Sequence, residues 1–78
     1  MNAREMFEEL GYKRRADIDA MLPFIAYRKK IDGTFHYFEV TFDLLEKEIT
    51  LDDGYEAYVI TYSLLKAINK QCKELGWI

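Results

Sequence analysis

Phe24-Ile25-Ala26-Tyr27-Arg28-Lys29-Lys30-Ile31-Asp32-Gly33-Thr34-Phe35-His36-Tyr37-Phe38-Glu39-Val40-Thr41-Phe42 is the stretch that decides the fold. Two alternating runs, residues 24–31 and 34–42, flank Asp32-Gly33. Alternation with period two marks half-buried strands. Asp-Gly between two such runs predicts a two-residue hairpin, because a type I′ turn needs positive φ at both central positions. That loop length sets a register in which Ile31 faces Thr34. Ile25 then meets Val40, Tyr27 meets Phe38 and Lys29 meets His36 on one face. Arg28 meets Tyr37, Lys30 meets Phe35 and Ala26 meets Glu39 on the other. The first face comes out apolar, as a core face should.

Working outward, residues 3–10 predict a short helix. Asn2 caps it, Glu5 completes a capping box, and Gly11 supplies the left-handed stop. Met6, Phe7 and Leu10 share one face. Residues 12–15 suit a short edge strand and residues 16–22 a loop with one helical turn. Residues 46–51 predict a third strand with Ile49 and Leu51 facing inward, and Asp52-Asp53-Gly54 a second turn. A fourth strand is placed at residues 55–60. Residues 62–75 predict the last helix, capped by Thr61 and stopped by Gly76. Leu64, Leu65, Ile68, Cys72 and Leu75 form its apolar stripe. Glu9-Leu10-Gly11-Tyr12 and Glu74-Leu75-Gly76-Trp77 share the same helix, glycine and aromatic order, which reads as common helix-stop chemistry. The expected fold is α+β: a three- to four-stranded antiparallel meander, with an N-terminal and a C-terminal helix packed on one face.

A chain of 78 residues has room for one domain, residues 1–78. Half of it is apolar and about a third is charged, a globular balance. Cys72 is the only cysteine and His36 the only histidine, so neither a disulfide nor a four-ligand zinc site can be assembled. No cofactor and no metal are expected. The start of the sequence reads as neither a signal peptide nor a membrane span, and a lone thiol suits a reducing compartment, so a cytoplasmic location is expected. The net charge of −3 is unevenly placed, since residues 31–60 carry eight acids and one lysine.

No catalytic set emerges. His36 is expected on the inner face near the turn, as a histidine at a sheet end rather than a general base. Cys72 is expected as a small core hydrophobe. Asp43, Glu46, Glu48, Asp52, Asp53 and Glu56 lack the compact alternate spacing of a calcium loop and read as solvated surface.

The outer sheet face is the more informative feature. With both helices on the inner face, Phe24, Phe35 and Tyr37 stand exposed and form the candidate protein contact face. Arg14, Arg15, Arg28 and Lys30 with Tyr37 form the alternative, a weak single-stranded nucleic-acid site of cations and rings. The stems of Arg28 and Lys30 can instead cover Tyr37 and Phe35. The acidic excess downstream weighs against a polyanion.

Several pieces together resemble a family of small uncharacterised proteins encoded by bacteriophages and prophages of Gram-positive bacteria. They are Phe7-Glu8-Glu9-Leu10-Gly11-Tyr12, Ile25-Ala26-Tyr27-Arg28-Lys29 and Val40-Thr41-Phe42-Asp43. Near the end follow Ile60-Thr61, Leu65-Lys66-Ala67-Ile68 and Cys72-Lys73-Glu74-Leu75-Gly76-Trp77. Tyr62-Ser63 stand where proteins of that kind carry acids after the threonine. The resemblance implies the cytoplasm of a host bacterial cell and no mechanism. The expected function is a non-enzymatic phage or prophage accessory protein, acting by contact with a second copy of itself, as a homodimer, or with a host protein.

Overall fold

The structure, a computed structural model, describes residues 1–16, 23–52 and 59–78. In chain order these form helix α1 (Ala3–Glu9), strands β1 (Lys13–Arg14), β2 (Phe24–Lys30), β3 (Tyr37–Asp43) and β4 (Glu48–Asp52), and helix α2 (Tyr62–Glu74). The strands make one antiparallel sheet in the order β1-β2-β3-β4. The expected α+β meander with a helix from each end of the chain is therefore what forms. Its fourth strand is the short N-terminal β1. Of the predicted strand 55–60, residues 59 and 60 lie outside any strand, and the remainder falls outside the described residues. None of the described helices is long and apolar enough to cross a membrane.

Local chemistry sets the helix ends. The Asn2 side chain accepts from the Glu5 N–H (2.8 Å), and the Glu5 carboxylate accepts from the Asn2 N–H (3.0 Å), closing the capping box. After α1, Gly11 sits at φ +91°, with Gly11 N–H donating to Glu8 and Tyr12 N–H to Phe7. After α2, Gly76 sits at φ +76°, with Gly76 N–H donating to Lys73 and Trp77 N–H to Cys72. Both are the same Schellman closure, in which a positive-φ residue turns the chain back onto the last free carbonyls. The shared sequence pattern is thus shared termination chemistry. The two helices are also tied together, since the Glu74 carboxylate accepts from the Ala3 N–H at 2.7 Å.

The β2–β3 hairpin departs from the expected register. Tyr27 pairs with Val40 and Ile25 with Phe42, two residues along from the type I′ prediction. Only Gly33 adopts positive φ (+75°) and Asp32 does not, so the type I′ turn is not formed. A longer loop replaces it, closed by Ile31 N–H to the His36 carbonyl (2.9 Å). Thr34 holds the loop. Its N–H and Oγ1 both donate to the Ile31 carbonyl, and its Oγ1 accepts from the His36 N–H. The shift brings Phe42 opposite Ile25 and Asp43 opposite Phe24, so β3 runs one residue past its expected end. A slip of two residues keeps every side chain on its face, so the expected faces survive while the neighbours change.

The core lies between the sheet and the helices. Phe7 of α1 stacks on Tyr27 (centroids 4.0 Å apart, planes at 9°), and Phe42 meets both rings edge-on. Tyr12 meets Phe7 edge-on at 5.7 Å and Trp77 lies tilted on Phe42. Each such pair is worth about 0.5–1.5 kcal/mol beyond the area it buries. From α2 the buried residues are Leu64, Ala67, Ile68, Gln71 and Cys72. Leu65, expected on this stripe, is instead 46% exposed, because the helix turns its 64/68/71 line to the sheet.

Candidate functional site

The side of the sheet facing away from the helices is built by alternation. The residues that alternate with buried Ile25 and Tyr27 on β2 are Phe24, Ala26, Arg28 and Lys30. On β3 they are Tyr37, Glu39, Thr41 and Asp43, and on β4 Glu48, Thr50 and Asp52. Lys13 lies directly opposite Arg28 and so joins the same face.

Phe35 is 91% exposed and Tyr37 is 37% exposed, both at the hairpin end. The Arg28 guanidinium lies over the Tyr37 ring at 4.3 Å, and the Lys30 ammonium lies 6.0 Å from the Phe35 centroid. Each cation meets the ring expected for it, although Tyr37 is now opposite Lys30 and reaches Arg28 diagonally. Phe24 does not join this pair of rings. It is half-buried and pairs with Asp43 at the other end of β2. Six residue steps along the strand separate it from Lys30, roughly 20 Å at the strand rise.

The alternative basic set is divided. Arg14 pairs with Tyr27, and its guanidinium lies 5.8 Å from the Tyr27 centroid on the core side of the sheet. Arg15 belongs to the outer face. Its N–H donates to the Ala26 carbonyl (2.8 Å), and its Nη1 reaches Glu39 Oε1 at 3.1 Å. The side chain therefore crosses β2 beside Ala26, where a larger residue would obstruct it. Arg15 and Glu39 are both about three-quarters buried. Thus Arg15, Arg28, Lys30 and Tyr37 share a face, and Arg14 is excluded from it.

The other expected residues fall as follows. His36 is exposed in the hairpin loop, beyond the last inner-face pair, because the loop is longer than two residues. Cys72 is buried, and burial pushes its thiol pKa up, which makes it a poor nucleophile. No described group of three or more His, Cys, Asp or Glu side chains could hold a metal ion.

Two features escaped the sequence reading. Gln71 is buried in the core, where its Oε1 accepts from the Tyr27 hydroxyl at 2.5 Å. Burial pushes the Tyr27 pKa above its ordinary value, and nearby Arg14 opposes this without outweighing it. The sign in the sequence was Gln71's spacing, three and four residues after Ile68 and Ala67. The second feature is the loop before β4. Asp43 Oδ1 accepts from the N–H groups of both Leu45 and Glu46 (3.0 Å each), and Lys47 takes φ 56°. The third strand consequently begins at Glu48, and Ile49 remains more than a third exposed.

A cleft of about 210 Å³ lies between α1 and the start of α2, lined by Met1, Met6, Glu9, Leu10, Ser63 and Lys66. It holds one carboxylate and one ammonium among apolar groups, and neither His36 nor Cys72 reaches it. No protein-family model, curated protein or solved structure matches the chain.

Proposed function

We propose that this protein acts by protein–protein contact through the hairpin end of its outer sheet face, as a non-enzymatic accessory protein. The observation that carries this reading is Phe35, almost wholly exposed beside the Arg28–Tyr37 stack. Exposed rings flanked by arginine are the residue types that anchor interfaces. An Arg already laid on a ring has part of its conformational freedom removed before any partner arrives. The sequence resemblance adds a setting, a phage or prophage protein in the cytoplasm of its bacterial host.

Single-stranded nucleic acid fits this face less well. Glu39, Asp43, Glu48 and Asp52 stand on the same face as Arg28 and Lys30. A polyanion following the cations would run beside four carboxylates. Fluorescence anisotropy with a labelled single strand at 20 mM salt should show no saturable binding; binding that fades steeply with added salt would favour that second reading.

The contact reading is tested by Phe35→Asp and Tyr37→Asp, made separately. Light scattering reports self-association, and crosslinking in bacterial lysate reports other partners. Both substitutions should remove whatever contact the unaltered chain makes. A contact that survives both would place the interface elsewhere.

A further inference from the structure

The hydrogen bonds of the sheet fix which way the edge strand β4 points its backbone. Along a strand inside an antiparallel sheet, residues that bond to one neighbour alternate with residues that bond to the other. Leu44 N–H donates to the Pro23 carbonyl and Ile31 N–H to the His36 carbonyl, so β3 bonds to β2 through its even-numbered residues. Arg15 N–H donates to the Ala26 carbonyl, which gives β2 the matching parity toward β1. Glu39, Thr41 and Asp43 are then the residues of β3 that bond to β4, through Asp52, Thr50 and Glu48. Ile49 and Leu51 therefore direct both N–H and C=O away from β3, off the edge of the sheet. Among the described residues no strand lies beyond β4.

The side chains of the same two residues lack full cover. Ile49 lies on the inner face opposite buried Phe42, yet it is 39% exposed, and Leu51 is only partly buried. The charge beside them has one predominant sign. Residues 43–52 carry four acids and one lysine, and Glu46 and Glu48, at the start of β4, are both exposed.

We infer that the β4 edge takes an extended segment of a different protein as a further antiparallel strand, one in which lysine or arginine alternates with aliphatic residues. Main-chain bonds to Ile49 and Leu51 supply the affinity and alternate side chains the selectivity. The aliphatic residues of the segment fall on the inner face beside Ile49 and Leu51, and its cations fall on the outer face beside Glu48. A second copy of this chain does not meet these terms. Its β4, laid antiparallel about Thr50, sets Glu48 opposite Asp52, like charge against like. The acids that keep two such edges apart are the ones that accept a basic segment. Neither Phe35 nor Tyr37 takes part, so this edge is a second surface and does not depend on the contact proposed for the hairpin end.

The experiment is amide hydrogen exchange by nuclear magnetic resonance on the full chain, alone and with a blocked peptide of alternating lysine and valine at up to about 1 mM and low salt. In the chain alone, the N–H groups of Ile49 and Leu51 should exchange at least about tenfold faster than that of Thr50. The peptide should slow both by at least about tenfold. Methylating the valine nitrogens of the peptide, which face β4, should weaken binding at least about tenfold, and methylating the lysine nitrogens, which face away, by less than about threefold. Glu48→Lys should weaken binding about two- to fivefold, and Phe35→Asp should leave it unchanged. If Ile49 and Leu51 are as protected as Thr50 without peptide, the edge is already covered and the inference fails; protection that grows with chain concentration would give the edge to a second copy and overturn it equally. It also fails if the peptide binds without slowing these two N–H groups, if a glutamate–valine peptide binds as well, or if nothing binds at about 1 mM.

Discussion

The buried Tyr27–Gln71 pair offers the sharpest test of the core. Tyr27 has no exposed surface and Gln71 is 4% exposed, and the Tyr27 hydroxyl donates to Gln71 Oε1 across 44 residues of sequence. Tyr27→Phe removes the donor and leaves a buried carboxamide oxygen without that bond. Gln71→Leu removes the acceptor and leaves the buried hydroxyl with Arg14 as its remaining polar partner. Each should cost about 1–3 kcal/mol, because the loss includes the desolvation of the group left behind. The double change Tyr27→Phe/Gln71→Leu replaces both partners by apolar groups of similar size, with Arg14 alone losing a partner, and should cost clearly less than the two single changes together. The cycle therefore predicts non-additivity, with the double variant more stable than the sum of the single costs implies. A domain of this length has roughly 4–12 kcal/mol in total. With a urea slope of about 1 kcal/mol per molar, each single change should lower the midpoint by about 1–3 M. Single costs that simply add, to within about 0.5 kcal/mol, would refute the pairing.

The same residue predicts a pH dependence with a definite sign. Burial disfavours the phenolate, so the folded pKa of Tyr27 lies above its ordinary value of 10.0. Above pH 10 the unfolded chain releases this proton and the folded chain retains it. The unfolded state then binds fewer protons, and stability falls with rising pH, by up to about 1.4 kcal/mol per pH unit until the folded pKa is reached. Below pH 10 the contribution is fully present. Tyr27→Phe should remove this component of the alkaline slope. If the slopes of the two chains coincide between pH 9.5 and 11.5, the hydroxyl is not shielded as described.

Three further outcomes follow from single contacts. Cys72 should react with a thiol reagent at least about 100-fold more slowly in the native chain than in urea, since its thiol is buried and its pKa is raised; equal rates would mean the C-terminal helix opens freely. Glu74→Gln should cost about 0.5–1 kcal/mol by replacing the carboxylate that receives the Ala3 N–H at the start of α1, seen as a fall of a few degrees in melting temperature; an unchanged melt would remove that contact from the stability of the fold. Gly76→Ala should cost about 1 kcal/mol in backbone strain alone, because its φ is +76° and no atom lies within 4 Å of the added methyl; urea unfolding reads it, and a neutral result would mean the C-terminal turn can relax.

The features legible in the sequence were those settled within a few residues. Asn2 with Glu5, Thr61, Gly11 and Gly76 marked the helix ends, since a cap or a left-handed stop depends on residues within one turn. The loop after β3 was not legible, because Leu44-Leu45-Glu46-Lys47 contains no glycine or proline. The turn is made by the Asp43 side chain one position upstream, and Lys47 accepts a left-handed backbone with no sequence sign of it. On α2, apolar character pointed to Leu65 as a core residue and passed over Gln71. The angular position of Gln71 puts it on the buried line, where Tyr27 meets its oxygen.

The hairpin separates two kinds of information that alternation carries. Parity, meaning which residues share a face, follows from the period of two and survives any even slip. Offset, meaning which residues are opposite one another, depends on the loop, and the loop depends on whether Asp32 accepts positive φ as well as Gly33. It does not, and Thr34 binds the longer connection instead. In the shorter register Ala26 would face Glu39 and Arg28 would face Tyr37, so the outer face would read as isolated cation–ring pairs. In the observed register Arg28 faces Glu39, and the row extends through Lys13 and Asp52 to both edges of the sheet. The core is indifferent to this difference, since both registers bury the same side chains from β2 and β3. The outer face is not, since its charge order exists in only one of them. A single threonine in the loop thus has little bearing on which residues are buried and a large bearing on the charge order of the exposed face. Asp32→Asn with Thr34→Val, which favours an Asn-Gly type I′ turn at 32–33 and removes the Thr34 side-chain bonds to Ile31 and His36, should therefore leave a folded domain in which Arg28 faces Tyr37 and the outer row is scrambled. That chain should keep its helices and its Tyr27–Gln71 bond, read by circular dichroism and urea melts; a chain that no longer folds would mean that the core depends on the offset as well as on parity.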